Sequence, residues 1–392
     1  MKPESSQYKW VMLGLFWLIY FSFGMIRSSI YPLITPIAQD LELTNTQIGS
    51  ILGIFLLLYV FLALPIGLVI DRIGIRKSLL AGISVLSLSG ILRAYASSYE
   101  TLLLSVGLMG LVGPTVSVGV PKAVASWFQG EERGTATGIY GTGMFIGTAT
   151  ATAITTSIIL PYLGSWRSTL GIYGVFGLLV TIIWILLGKE SDPTQSSGSF
   201  SGMVQALKRI IKNREIWLVT ALGFSLMLSS YGLGSWLPKL LELKDVEFAL
   251  AGVLASIHSW FGLIGGPGLP ILARKISRKY AIILSIVIQG ITIYLIGTNV
   301  GIILILSLIL YGIFSAGMFP LLFVTMMEVP EVGSEFMGVA SGLWFSVGAV
   351  GGFIGPYLVG YLLDVTGSTY WGIVALTVIM ELSLLASFML KK

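Results

Sequence analysis

The sequence predicts an all-α membrane protein with twelve transmembrane helices in two pseudo-symmetric six-helix bundles. Three observations carry this. Of 392 residues, 55% are hydrophobic and only 10% charged, against roughly 25% charged in a typical soluble domain. The apolar residues fall into twelve long runs joined mostly by short polar loops. A helix needs about 20 such residues to cross roughly 30 Å of hydrocarbon with every backbone amide bonded. Finally, the chain repeats itself at an interval of just over 200 residues.

The predicted spans are 10–36, 46–70, 78–97, 102–126, 134–158 and 165–188, then 216–238, 248–272, 280–297, 300–327, 336–362 and 369–390. They divide the chain into an N-terminal bundle (1–188), a cytoplasmic linker (189–215) and a C-terminal bundle (216–392). The linker opens with a polar stretch beginning Glu190-Ser-Asp-Pro, flexible by composition. Its second part puts Met203, Leu207, Ile210 and Ile211 on one helical face and Lys208, Arg209 and Lys212 largely on the other. That pattern predicts an amphipathic helix on the inner membrane surface.

Three stretches carry the repeat. Arg133-Gly134-Thr-Ala136-Thr-Gly138-Ile-Tyr140 matches Met337-Gly338-Val-Ala340-Ser-Gly342-Leu-Trp344 at an offset of 204, Arg76-Lys77 meets Arg278-Lys279 at 202, and Tyr31-Pro32 meets Leu237-Pro238 at 206. Duplicated halves of this kind are a common plan among secondary transporters, with substrate held at the midplane. The fifth and eleventh spans also share glycine stripes, at Gly134, Gly138, Gly141, Gly143 and Gly147, and at Gly338, Gly342, Gly348, Gly351, Gly352 and Gly355. Such stripes serve tight packing or sliding equally well.

The net charge of +5 resides in particular loops. With an inward amino terminus, 17 lysines and arginines fall on the inner side and three on the outer, Arg167, Lys239 and Lys244, so both termini are expected in the cytoplasm. The first apolar run is too long for a cleavable signal. This distribution, rather than a nucleic-acid partner, explains the basic balance. Zero cysteines and a single histidine exclude thiolate chemistry and a multi-histidine metal centre. No cofactor is expected, and without a cluster of His, Asp or Glu in the spans neither is an enzyme.

Between the second and third spans stands Gly67-Leu-Val-Ile-Asp71-Arg72-Ile-Gly74-Ile-Arg76-Lys77-Ser-Leu79. The spacing G-x-x-x-D-R-x-G-x-R-K-x-L resembles the signature of the major facilitator superfamily at the same place, and every anchor is present. The resemblance implies the major facilitator fold, with Gly67 allowing close helix approach and Asp71 near the start of the eleventh span, where a helix dipole stabilises a carboxylate by about 0.3–1 kcal/mol. Gly67, Asp71, Arg72, Gly74 and Arg76 are the expected gating residues. The second half carries Ala273 where Asp71 would recur, so any such lock is one-sided.

Counting back from Ala38 at the outer end, Arg27 lies 11 residues in, roughly 16 Å deep at 1.5 Å per residue. A cation there costs at least about 2.5 kcal/mol, so it faces a cavity or a partner. Its guanidinium suits a planar anion held by two parallel hydrogen bonds; pairing with helix carbonyls or a buried carboxylate is the structural alternative. The carboxylate deep in a span is Glu381, which the resemblance puts on a peripheral helix. His258 sits at a similar depth in the other half and is either a satisfied core residue or a proton-coupling group with an ordinary pKa near 6.5. Lys122, roughly 9 Å from the inner end of the fourth span, can snorkel to water, and Arg93 in the outer third of the third span is expected to do likewise. Tyr31, Tyr140, Tyr231 and Trp344 fall on spans that line or flank the cavity in the family, whereas Trp236 near a span end reads as an interfacial or packing residue.

Within the superfamily, Ile26-Arg27, Leu92-Arg93, Pro121-Lys122, Trp127-Phe128 and Trp236-Leu237-Pro238 look like the cyanate-porter group and related organic-anion carriers. The paired arginines of nitrate/nitrite porters in the second and eighth spans are absent. The expectation is a monomeric secondary carrier of a small, organic anion in the lipid bilayer, working by alternating access as a proton-coupled symporter if His258 or Glu381 titrates. Arg27, Tyr31, Lys122, Tyr140, Tyr231, His258 and Trp344 are the candidate substrate contacts. The rivals are an exporter of hydrophobic or cationic compounds and a membrane sensor that does not transport.

Overall fold

The computed structural model describes residues 3–190, 207–329, 332 and 337–390, without the side chains of 3–6, 63–65, 67, 68 and 71. Among the described residues, twelve helical segments are long and apolar enough to cross a membrane, as the apolar runs predict. The first span is α1 (Pro3–Ser28), a 3-10 turn (Tyr31–Leu33) and α2 (Ile34–Asp40). α3 (Asn45–Ile73) and α4 (Ile75–Ala94) follow, then α5 (Tyr99–Gly107) with α6 (Met109–Trp127). The fifth span is α7 (Glu131–Ile154), a π-helical segment (Thr155–Ile159) and α8 (Leu160–Leu163), and α9 (Trp166–Leu187) is the sixth. The second half is α10 (Arg214–Glu242), α11 (Phe248–Ile276), α12 (Arg278–Thr298), α13 (Gly301–Met327), α14 (Met337–Thr366) and α15 (Thr369–Met389).

The interruption of the first span follows from Pro32. Proline has no amide hydrogen and its ring collides with the carbonyl four residues back, here that of Ser28, the last residue of α1.

The residues group into two compact units. Unit 1 holds 1–43, 61–196 and 248–256, and unit 2 holds 44–60, 197–247 and 257–392. The sequence boundaries at 188 and 216 follow chain order, whereas these units exchange the first part of α3 and the first turns of α11. In unit 1, α1 lies on α7 and α4 on α9. A Cβ on Gly143 would come within 2.6 Å of the Trp17 carbonyl, and one on Gly174 would meet the backbone of Gly90 and Ile91. In unit 2, α10 lies on α14 and α12 on α15, and a Cβ on Gly351 would come within 2.6 Å of the Phe224 carbonyl. Two of the five glycines in the first stripe, Gly143 and Gly147, and four of the six in the second, Gly348, Gly351, Gly352 and Gly355, are thus packing positions. Gly134, Gly138, Gly141, Gly338 and Gly342 have no such neighbour within 4 Å.

The charged turn after α3 is built around Gly74, whose φ of 87° is open to glycine at little steric cost. The Glu190 carboxylate accepts from the Ile75 amide at 3.0 Å and the Arg76 amide at 3.2 Å, satisfying first-turn donors of α4. Trp184 Nε1 donates to the Arg76 carbonyl, and Arg76 Nη2 to that of Ile185. Arg76, expected to gate, is therefore tied within unit 1 to the end of the sixth span, and Arg72 is exposed. The side chains of Gly67 and Asp71 lie outside the described residues, as do 203–206 of the expected amphipathic helix; 207–210 form a helical turn with Ile210 buried and Lys208 and Arg209 exposed.

Candidate functional site

The break in the first span organises the polar interior of unit 1. Arg27 occupies the last turn of α1, where the negative end of the helix dipole favours a cation. Half-buried, it donates from Nη2 to Thr148 Oγ1 of α7 at 3.2 Å. Next to it, Ser28 Oγ donates to the Gly24 carbonyl at 2.7 Å and the Thr148 carbonyl at 3.3 Å. Gly24 makes this approach possible, since a Cβ there would run into the Met144 carbonyl and Thr148.

Arg93 departs from expectation. It does not snorkel: only 1% of it is exposed, and Nη1 donates to the Ile26 carbonyl at 2.8 Å, while Nη2 reaches Ser89 Oγ and the Met109 sulfur. The Ile26 carbonyl also accepts from Ser29 Oγ at 2.9 Å. Where a helix stops, its last carbonyls need donors from elsewhere, and a buried arginine from α4 supplies one. Tyr31, in the 3-10 turn, is buried and an electrostatic neighbour of Arg93. Tyr140 is buried edge-on against Tyr20, ring centroids 4.8 Å apart. Lys122 is half-buried on α6.

In unit 2, His258 of α11 is half-buried, with Nε2 3.2 Å from Ser259 Oγ and its ring 6.2 Å from that of Tyr311 on α13. Gly312 lets α13 approach the His258 backbone, and Nε2 lies 3.8 Å from where a Cβ on Gly234 would be. Tyr231 is half-buried against Phe55, ring centroids 6.0 Å apart.

Two other candidates, Trp344 and Glu381, and the packing residue Trp236 are placed by their neighbours. Trp344 is fully buried, its Nε1 donating to the Val219 carbonyl at 3.1 Å and its ring surrounded by Phe319, Phe323 and Phe345. With its one donor committed and no exposed ring surface, it is a packing residue of unit 2 in this structure. Gly223 opposite provides the slot, since a Cβ there would strike the indole. Trp236 likewise packs inside, donating to the Pro356 carbonyl at 2.9 Å. Glu381, half-buried on α15, lies against Gly290 of α12, apart from the His258 group.

Long apolar helices that carry a half-buried guanidinium beside a helix break define the class of polytopic membrane carriers. The family model described as Major Facilitator Superfamily matches residues 16–356 and again 246–391, and the chain belongs to that superfamily. A "Probable nitrate transporter NarT" of Staphylococcus carnosus is 27% identical over 379 residues, covering 94% of this chain and 92% of that one. A "Probable galactarate/D-glucarate transporter GudP" of Escherichia coli is 22% identical over 414 residues, covering 94% and 89%. Similarity thus extends to a protein described as a nitrate transporter, even though the paired arginines expected of nitrate porters are absent from this sequence. Among solved structures, a bacterial homolog of the human lysosomal transporter Spinster, in an inward-facing and occupied conformation, superposes with a TM-score of 0.79 at 17% identity, covering 98% of this chain and 97% of that one. The protein is a multi-pass membrane transporter, not an enzyme.

Proposed function

We propose that the protein is a secondary carrier that moves a small anion by alternating access, with both termini in the cytoplasm and the monomer as the working unit. The observation that carries this reading is Arg27: a guanidinium deep in the first span, half-buried at the end of α1 and touching the neutral hydroxyl of Thr148. Relatives described as carriers of nitrate and of galactarate or D-glucarate handle anionic solutes, which supports the same sign of cargo. Intramembrane charge agrees, since Arg27, Arg93 and Lys122 stand deep in spans against the single carboxylate Glu381. Substrate docks on Arg27 through charge-assisted hydrogen bonds, and Thr148 orients the guanidinium. His258 is the group that would couple a proton, because a histidine changes charge near pH 6.5.

Reconstituted vesicles test this reading with labelled nitrate and labelled D-glucarate. Charge-assisted hydrogen bonds contribute about 1.5–3 kcal/mol each, so Arg27→Ala should lower uptake efficiency roughly 10- to 100-fold. Arg27→Lys keeps the charge but not the planar fork and should fall between. Native uptake in both variants removes Arg27 from the site, and uptake of organic cations instead returns the exporter reading.

A further inference from the structure

We propose that Asp364 is a latch: its carboxylate caps the amino end of α3, and the transport cycle makes and breaks this cap. The inference rests on the chain being a carrier, not on the sign of its cargo.

The cap is complete on both sides. At the start of α3, Thr44 and Gln47 form a reciprocal pair, with the Gln47 amide donating to Thr44 Oγ1 at 3.2 Å and the Thr44 amide to Gln47 Oε1 at 3.0 Å. That leaves the amides of Asn45 and Thr46, two of the first-turn donors a helix cannot satisfy itself. Asp364, one turn from the end of α14, takes both. Asn45 donates to Oδ1 from its amide at 3.0 Å and from Nδ2 at 2.8 Å, and Thr46 donates to Oδ2 from its amide at 2.7 Å and from Oγ1 at 2.6 Å. Four donors converge on one carboxylate, which as an acceptor with two oxygens can meet all of them, at the positive end of a helix dipole.

Beyond the cap, much of the contact between α3 and α14 is glycine against backbone, with Leu56 beneath Gly352 and the Tyr59 and Phe345 rings 6.0 Å apart further along. Cβ atoms on Gly49 and Gly53 would strike the carbonyls of Pro356 and Phe353, one on Gly360 the carbonyl of Asn45, and one on Gly352 the side chain of Leu56. Glycine faces offer close van der Waals contact without interlocking side chains, so they part without rotamer rearrangement. Asp364 supplies directional bonding to this contact. This is the end of α3 remote from the charged turn at 71–77, so it is a device separate from the signature motif.

The matching contact elsewhere in the chain lacks the device. In unit 1 the first turns of α11 lie on the fifth span, where a Cβ on Gly252 would come within 2.6 Å of the Thr152 carbonyl and 2.8 Å of Thr156 Oγ1. The N-cap of α11, Glu247, makes no side-chain capping bond, and the repeat offset of 204 puts Leu160 where Asp364 stands. One glycine contact is therefore latched by charge and the other is neutral, which a purely structural requirement of the duplicated fold would not produce.

The absence of cysteine from the chain allows a direct test that needs no solute. In Leu56→Cys, a residue 5% exposed beneath Gly352, maleimide labelling in vesicles reports how often α3 and α14 part. Placed in that background, Asp364→Asn should speed labelling about fivefold, Asp364→Ala further, and the donor-side pair Asn45→Ala with Thr46→Val should reproduce the Asp364→Ala rate. Melting temperature monitors folding throughout. Equal labelling in Leu56→Cys and the folded Asp364 variants overturns the latch, as does a faster rate in the Asp364 variants that the donor-side pair fails to copy. Because labelling reads the contact itself, failure of the anion reading leaves this result standing.

Discussion

The polar interiors of the two units differ in what they use charge for. Unit 1 places two arginines near one helix break: Arg27 half-buried at the end of α1, and Arg93 fully buried behind it on the Ile26 carbonyl. Unit 2 surrounds His258 with Ser259, Tyr311 and the small residues Gly234 and Gly312, and its deep carboxylate, Glu381, sits apart against Gly290. A duplicated helical plan thus carries two arginines at the helix break in one unit and a histidine among hydroxyls and small residues in the other. Two arginines in one neighbourhood also take different work. Arg93 is bound to carbonyl, hydroxyl and sulfur behind the break, while Arg27, one residue further along the same interrupted helix, is half-buried and bonded to Thr148 of α7.

The comparison would break first at Arg93. Arg93→Met strips a donor from the Ile26 carbonyl and leaves it buried, so the protein should lose about 2–4 kcal/mol of stability, read as an earlier midpoint in thermal or denaturant unfolding. Arg27→Ala, in contrast, should melt close to native; a large stability loss there would erase the division of labour between the two. Next in size is Trp344→Phe, which keeps the ring but deletes the bond to Val219 and should cost about 1 kcal/mol with little change in affinity for anions, as befits a packing residue. His258→Gln should leave uptake near native at neutral pH while flattening its dependence on pH, because it removes the imidazole that could exchange a proton. The smallest effect belongs to Glu381→Gln. A half-buried carboxyl on the α12–α15 surface should change stability within about 0.5 kcal/mol and leave the pH profile untouched; a changed profile would move the coupling group from His258 to α15.

Much of this architecture was legible in composition. The twelve spans and the duplicated halves came from run length and offset matches, and Arg27 stood out because a cation roughly mid-span needs a reason. Arg93 did not. Distance from the span end suggested snorkelling, but Pro32 stops α1 and frees carbonyls deep in the bundle, and which side chain reaches them is settled by tertiary approach. The burial of Trp344 is hidden from the sequence for a related reason, since its slot is made by Gly223 on another helix, without a local signature. Asp364 passed unnoticed as a charge near a span end. Its signal was present in Thr44-Asn-Thr-Gln47, a capping-box spacing, but the partner lies 319 residues away.

The central claim is that Arg27 receives an anion, and ligand-dependent melting of the purified protein tests it most directly, because a solute bound to the folded state alone raises its apparent stability. With nitrate, D-glucarate and a set of organic cations as probes, the native protein should gain melting temperature with an anion in a concentration-dependent manner, and Arg27→Ala should not. An equal gain in Arg27→Ala, or a response confined to the cations, would contradict the account.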